Sequence, residues 1–420
     1  MYFMCSSESE AKNSEELFFL DMPGELKGTT VKLAGWGTPK DGNSGEVISE
    51  FEQQTGIKVE SVHVSQADYI VKLSALINAD QSPDVVVENG DFPRTLNVLM
   101  PITKEETGID VTDPFWNQQV IRQFTVGKTP YLVEGVKSCW NMAGSMVYFN
   151  RTTLAENNIK SPNDYVAENN WNLDTFRTLM QQVQAIGAYR GAATQVKETD
   201  ICKMFGGLQI SWDPSAGKFS NVLDSDANTK AYKWMLERKE EGLLEIVTDW
   251  GSKLGTGDAA ISLCGAYGLR VKPGWFYQMD VDDLGFEVLP KVSASDADYP
   301  YLCSTHAYGI CKGSKNPKGA GYYLRYYLNE DRYDLTQMFK SDEALKLYRT
   351  MREKASYDLC DYSRGVRMTV YGDDHSGSMA WAALSGTADQ VRVNLAASSN
   401  TVQACVDKAN ELVAEVIAGQ

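Results

Sequence analysis

Reactive side chains are sparse and scattered in this 420-residue sequence. Its three histidines, His63, His306 and His375, stand far apart, with no HxxH-type pair and no second ligand nearby, so a metal centre has no support in the spacing. Asp373, Asp374 and His375 have the composition of a small metal or acid–base site, but the same trio makes an ordinary exposed polar loop. Apart from Cys5 near the start, the other seven cysteines (Cys139, Cys202, Cys264, Cys303, Cys311, Cys360, Cys405) are dispersed, odd in number and without CxxC spacing. In contexts such as ISLCGAYG and VQACVDKA they read as small buried hydrophobes, which argues against a disulfide framework. The run GTGDAA at 255–260 mimics a dinucleotide fingerprint, yet no adequate strand leads into it and a strand-like ISLC follows. There is no GxSxG elbow and no phosphate-binding loop. What remains is recognition chemistry. Trp36 sits between Gly35 and Gly37 at a strand end, and Trp381 interrupts a run of small residues that gives its ring little apolar company. Trp171 and Trp234 fall on helix patterns, where core packing is the expectation.

These groups need elements to position them. From residue 30 the order is strand, helix, strand, helix, strand: TVKLAGW, GEVISEFEQQTG, IKVESVHV, ADYIVKLSALINA and PDVVV. Thr55-Gly56 is a helix-ending pair, and the wholly apolar VVV suits the middle of a parallel sheet. Ligands of such sheets gather at the strand C-terminal ends, here residues 36–39 and 88–92. A second set begins after Gly144, with the strand SMVYF, a helix near 150–157, and a helix from Asn172 that places Leu173, Phe176, Leu179, Val183 and Ile186 on one face. A long helix near 228–241, a short strand AAISLC and a strand GFEVLP follow, and the chain crosses again near 303–308. Asn316-Pro317 caps a helix, AGYYLRYYL. From Asn400 onward, Val402, Cys405, Val406, Ala409, Leu412, Val413, Val416 and Ile417 mark an amphipathic terminal helix.

Composition sets the outer bounds. A chain of 46.6 kDa exceeds what one core usually organises, so two lobes are expected. A formal charge of −16 repels phosphate backbones and anionic membrane surfaces, and argues against nucleic-acid partners. No window approaches the roughly 20 apolar residues of a membrane span. The start, MYFMCSSESEAKNSEE, is not an intact signal peptide. Its Cys5, followed by a Ser- and Glu-rich tail, resembles the mature end of a bacterial lipoprotein, with the cysteine as lipid anchor.

The segments FEQQTGIKV, SPDVVVENGD, MVYFNRTTLAENNIKSP, WNLDTFRTLMQQV, GTGDAAISLCGAYG, GFEVLPKV, STHAYGICKGSKNPKGAGYYLRYYL and SMAWAAL, taken in order, resemble the carbohydrate-type extracellular solute-binding proteins of ABC importers. This is solute-binding protein family 1, the maltose-binding-protein-like group. The resemblance implies an α/β, periplasmic-binding-protein-like type II fold, two lobes joined by crossover hinge segments around a ligand cleft. Residues 1–29 are expected to be a flexible tether, 30–142 plus 306–335 one lobe, and 143–305 plus 336–420 the other. It also implies a sugar or oligosaccharide ligand, hinge closure, delivery to ABC permease subunits, no catalysis, no cofactor and no metal. A monomer anchored at the outer face of the cytoplasmic membrane is the expected form.

Sugars need aromatic faces for their C–H surfaces and fixed polar groups for their hydroxyls. Carried over by position, the resemblance gives ligand-binding roles to Trp36 and Thr38 after the first strand, and to Glu88, Asn89 and Asp91 after the third. Tyr267 stands where the family often has Trp, Trp275 lies in the turn-rich KPGWFYQ, and Trp381 matches the C-terminal stacking position. The family's Trp near Glu88 is absent. Two alternatives use similar residues: a glycoside hydrolase, which also wants a cleft with aromatics and two carboxylates, and a binding protein for a peptide or polyamine, which Glu88 and Asp91 would serve by pairing with cations.

Overall fold

The computed structural model describes residues 22–36, 43–88, 90–140, 144–189, 191–247, 252–269, 279–302, 305–339, 341–357, 360–372 and 379–420. In chain order the strands of its main sheets are β1 (Thr30–Gly35), β2 (Lys58–His63), β3 (Val85–Val87), β4 (Ser145–Asn150), β5 (Thr194–Lys197), β6 (Leu244–Val247), β7 (Ile261–Gly265), β8 (Leu284–Glu287) and β9 (Tyr308–Ile310). The chain divides into two units. Unit 1 comprises Met1–Glu88, Thr95–Cys139 and Ala307–Tyr333, and unit 2 comprises Asn89–Arg94, Trp140–His306 and Asp334–Gln420.

Unit 1 is built on a sheet of order β9-β3-β1-β2. β1 runs parallel to β2 and to β3, with Val31 opposite Val59 and Leu33 opposite Val85, while β9 is antiparallel to β3, Tyr308 opposite Val87. The helix Asn43–Thr55 connects β1 to β2, and Tyr69–Asn78 connects β2 to β3. The first of these stops as its sequence indicates: Gly56 takes φ +73° and its N–H donates to Glu52 O at 3.0 Å, a conformation that costs a residue with a side chain. Phe51, fully buried, meets Tyr323 and Tyr326 of the helix Pro317–Tyr327 at ring separations of 5.5 and 5.4 Å. That helix begins with Pro317 in its first turn, and Asn316 caps it by accepting from Gly319 N–H. On its other flank Gly321 lies so close to the helix Lys104–Thr107 that a Cβ there would stand 1.9 Å from Thr107 O.

Unit 2 has a sheet of order β6-β5-β7-β4-β8, in which β5, β6 and β7 are parallel and β4 runs against both β7 and β8. Met146 to Phe149 of β4 are fully buried, as expected of a strand covered on both faces. On the helix Leu173–Ala185, Leu173, Phe176, Leu179 and Val183 are buried as the sequence indicates, whereas Ile186 is only half-buried. Trp171 is fully buried and donates its indole N–H to Val288 O at 2.9 Å. Trp234 is half-buried, stacked on Phe176 at 6.2 Å. The terminal helix spans Val391–Ala418 and so begins nine residues before Asn400. Burial of Val391 and Leu395 on the stripe that continues through Val402 carries the helix back through a run of small polar residues. At the far end Ile417 is 40% exposed, off the buried stripe to which its spacing assigns it.

Candidate functional site

In unit 1 the strand order 2-1-3 reverses direction between β1 and β3, and in such sheets the crevice beyond the C-terminal ends at that reversal takes the ligand. The two residues that leave those ends are Trp36 and Glu88. Trp36 is half-buried and packs edge-on against Tyr69, with ring centroids 5.6 Å apart. Tyr69, 2% exposed, donates its hydroxyl to Ala34 O at 3.0 Å and accepts from Val87 N–H at 3.1 Å. One phenol therefore ties the end of β1 to the end of β3 and backs the indole between them. Its sequence context, an aromatic at the start of an amphipathic helix, signals only a core residue. Glu88 is 3% exposed and held by its backbone, N–H to Ala307 O at 2.8 Å. At the other end of β3, Asp84 accepts from Lys32 N–H at 2.7 Å, from the Ser314 hydroxyl at 2.6 Å and from Asn316 N–H at 3.1 Å, which fixes β1 and the helix Pro317–Tyr327 to β3. Thr38 and Asn89 lie outside the described residues.

Asp91 belongs to unit 2, although Glu88, three residues earlier, belongs to unit 1. It is 1% exposed, with Oδ1 3.9 Å from an Arg364 nitrogen. Phe92 beside it joins a cluster with Trp212, Phe219 and Tyr362 at ring separations of 5.5, 5.9 and 5.8 Å. The backbone of Tyr267 turns in a 3-10 segment, Ala266–Leu269, directly after β7, and that of Trp381 opens the helix Trp381–Leu384; their side chains lie outside the description. Trp275, Cys5 and the trio 373–375 also lie outside the described residues.

Unit 2 contains polar groups that sequence reasoning did not single out. Gln195 of β5 and Ser262 of β7 face each other in parallel register, both fully buried, with Thr194 beside them. The side-chain polar atoms of these three residues meet no hydrogen-bond partner among the described residues. Buried polar atoms are nearly always paired, so Gln195 and Ser262, side by side on one face of the sheet, call for water or ligand, while Thr194 points to the opposite face. β5 runs straight into the helix Glu198–Met204, whose Glu198 and Asp200 are 6% and 7% exposed. Glu198 accepts from the Gln209 amide at 2.7 Å, and Gln209 N–H in turn donates to Asp361 at 2.7 Å. Burial, with Glu198 next, pushes the Cys202 thiol well above its usual range, so it is inert as a nucleophile. The available signal was Ser262 inside the otherwise apolar ISLC; TQVK, polar at three of its four positions, reads as an exposed strand and gives no sign of its burial.

The enzyme-like motifs resolve into structure. GTGDAA begins in the last two residues of a short helix, Ser252–Thr256, and leads into β7, the reverse of the strand–turn–helix order that a dinucleotide fingerprint requires. Among the described cysteines, Cys139, Cys202, Cys264, Cys311 and Cys405 are buried and Cys360 is half-buried, and they form no disulfide. Among the described residues no group of His, Cys, Asp and Glu has the arrangement of a metal site, and no helix is long and apolar enough to cross a membrane.

Two α/β units crossed repeatedly by the chain, with candidate groups at strand C-terminal ends, define a periplasmic-binding-protein type of fold. Over residues 46–340 the sequence matches the family of bacterial extracellular solute-binding proteins, and the chain belongs to that family. No curated protein matches the sequence. Among solved structures, the galacto-N-biose-/lacto-N-biose I-binding protein of the ABC transporter from Bifidobacterium longum is similar at a TM-score of 0.63 and 13% identity, covering 91% of this chain and 98% of that one. Maltose-bound MalE3 of T. maritima is similar at 0.59 and 15%, covering 89% and 100%. The GacH receptor of Streptomyces glaucescens is similar at 0.57 and 13%, covering 92% and 98%. At these identities the likeness is one of fold.

Proposed function

We propose that this protein is the extracytoplasmic substrate-binding component of an ABC importer, that its solute is a sugar or oligosaccharide, and that it hands this solute to membrane permease subunits without chemical change. The observation that carries the reading is the family match over residues 46–340, joined to whole-length likeness to proteins described with lacto-N-biose, maltose and acarbose. The family is one of binding proteins. Ligand contacts are assigned to Trp36, Thr38, Glu88 and Asn89 of unit 1 and to Asp91, Tyr267, Trp275 and Trp381 of unit 2. Trp36 has the strongest support, because it leaves β1 at the direction reversal with its ring fixed by Tyr69. The protein acts as a monomer, held at the outer face of the cytoplasmic membrane by a lipid on Cys5.

A thermal-shift panel of sugars, peptides and polyamines tests the ligand class, since a ligand at about 100 times its Kd adds about 2.7 kcal/mol of stability. Stabilisation by a peptide or an amine and by none of the sugars would overturn the sugar reading. Shortened products after incubation with oligosaccharides would make the protein a glycoside hydrolase instead. Recovery of the native protein in the membrane fraction, lost in Cys5→Ala, tests the anchor.

A further inference from the structure

At their C-terminal ends β1 and β3 lack the backbone bond that their register sets up. Leu33 stands opposite Val85, and the pairing stops there. Gly35 O accepts from Val64 N–H on the β2 side, so by the alternation of a strand Ala34 O faces β3. Glu88 N–H donates to Ala307 O on the β9 side, so Val87 N–H faces β1. Carried two residues on, the register makes Val87 N–H and Ala34 O the donor and acceptor of the next rung. The Tyr69 hydroxyl takes that rung instead, donating to Ala34 O at 3.0 Å and accepting from Val87 N–H at 3.1 Å. Bridged in this way the two backbone groups stand roughly 5 Å apart, against about 2.9 Å for a direct bond.

The phenol is itself held. Tyr69 is the first residue of the helix Tyr69–Asn78 and is buried with Ile70 and Leu73 of the same helix. Its ring lies 5.6 Å from that of Trp36 at an angle of 77°, and Trp36 is only two residues beyond Ala34. A shift of about 2 Å at Ala34, the difference between bridged and direct bonding, therefore reaches the indole along the chain. Phenylalanine would keep the ring and lose the wedge. Ala34 and Val87 are 6% and 7% exposed, and buried backbone groups are nearly always paired. Without the hydroxyl, the carbonyl and the N–H close on one another and carry Trp36 with them.

We propose that Tyr69 is a positioning residue for the solute: its hydroxyl holds the ends of β1 and β3 apart and so sets Trp36 in the orientation that meets the ligand. This rests on the reading of Trp36 as a ligand contact. Fixing the ring before the solute arrives spares the cost of ordering it on binding.

The test follows the tryptophan indole signals of the full-length chain labelled with nitrogen-15, with Trp36→Phe identifying the signal of Trp36. In ligand-free Tyr69→Phe that signal should move. The best ligand of the thermal panel, of whatever class, should bind this variant about tenfold more weakly. Trp36→Ala should weaken the same ligand by roughly 30-fold or more, as loss of an aromatic anchor does. The double variant should lose no more than Trp36→Ala alone, because Tyr69 acts through Trp36. A merely structural Tyr69 would lower stability and leave the Trp36 signal and the affinity as in wild type. An unmoved signal, unchanged affinity in Tyr69→Phe, or additive losses in the double variant overturn the proposal and leave Trp36 as a contact. Unchanged affinity in Trp36→Ala removes Trp36 from the site, and the positioning role with it. If Tyr69→Phe does not fold, a crystal structure of the wild type with that ligand decides. The Tyr69 hydroxyl between Ala34 O and Val87 N–H, with Trp36 against the ligand, upholds the proposal; a direct Ala34–Val87 bond, or Trp36 away from the ligand, overturns it.

Discussion

Replacing Asp84 by Ala removes one carboxylate from unit 1 and with it the acceptor of three donors. The residue is 3% exposed, and its oxygens take Lys32 N–H at 2.7 Å, the Ser314 hydroxyl at 2.6 Å and Asn316 N–H at 3.1 Å. Asn316 in turn caps the helix Pro317–Tyr327 and donates its amide to Thr29 and to Thr30 O at 2.9 and 3.0 Å. The single carboxylate therefore joins β3, β1 and the start of a core helix. Two of the three donors are backbone N–H groups; Asn316 N–H keeps a second acceptor in the Ser314 hydroxyl at 3.2 Å, whereas Lys32 N–H loses the Asp84 carboxylate, and a buried donor left unsatisfied costs about 1–3 kcal/mol. With Asn316 N–H exchanging a bond to a charged oxygen for one to a hydroxyl, the expected loss is about 3 kcal/mol, a large share of a usual total of about 5–15 kcal/mol. Urea unfolding followed by circular dichroism reads this as a fall of about 1.5 M in the midpoint of the unit 1 transition, for a slope of about 2 kcal/mol/M. Ser314→Ala is the control. It removes one donor and leaves Asn316 N–H on the same oxygen, so it should cost about 1 kcal/mol. Equal losses in the two variants, or a loss below about 1 kcal/mol for Asp84→Ala, would refute the reasoning.

Three further outcomes follow from particular contacts. Gly321→Ala gains helix propensity, but its Cβ would stand 1.9 Å from Thr107 O, so overpacking should win and lower stability by about 1–3 kcal/mol in the same unfolding assay. Burial raises the Glu287 carboxyl above its ordinary 4.5, more than the donors Val288 N–H and Asn163 lower it. The native state therefore holds the proton longer than the unfolded chain. Its stabilising contribution is full below about 4.5 and is lost as pH rises through the raised native value, so wild type should lose stability relative to Glu287→Gln over that window, and parallel profiles would remove burial as the cause. Trp381→Ala should weaken the best sugar by roughly 30-fold, about 2 kcal/mol, in a direct titration; unchanged affinity with a loss of stability near 3–5 kcal/mol would make Trp381 a core residue.

The sequence by itself determined what local geometry controls. Alternating strand and helix patterns over residues 30–87 became β1, β2, β3 and their helices, because side-chain periods of two and 3.6 need only the backbone to express them. The stop at Gly56 and the start at Asn316-Pro317 were legible for the same reason: a positive φ and a proline at a first helical turn are properties of single residues. The start of the last helix was not, since the small polar residues before Asn400 have no strong local preference and the burial of Val391 and Leu395 decided it. Tertiary structure alone placed β9 against β3, strands whose paired residues Tyr308 and Val87 are far apart in the chain, and put Glu88 and Asp91 in different units. It alone gave Tyr69 its role between the ends of β1 and β3, and brought Gln195 and Ser262 into facing register. A local pattern says which face of an element is apolar, but not which distant element covers it. For polar groups the partner is the whole of the meaning, so the candidate site was legible as residue types and strand ends, while its geometry came from the fold.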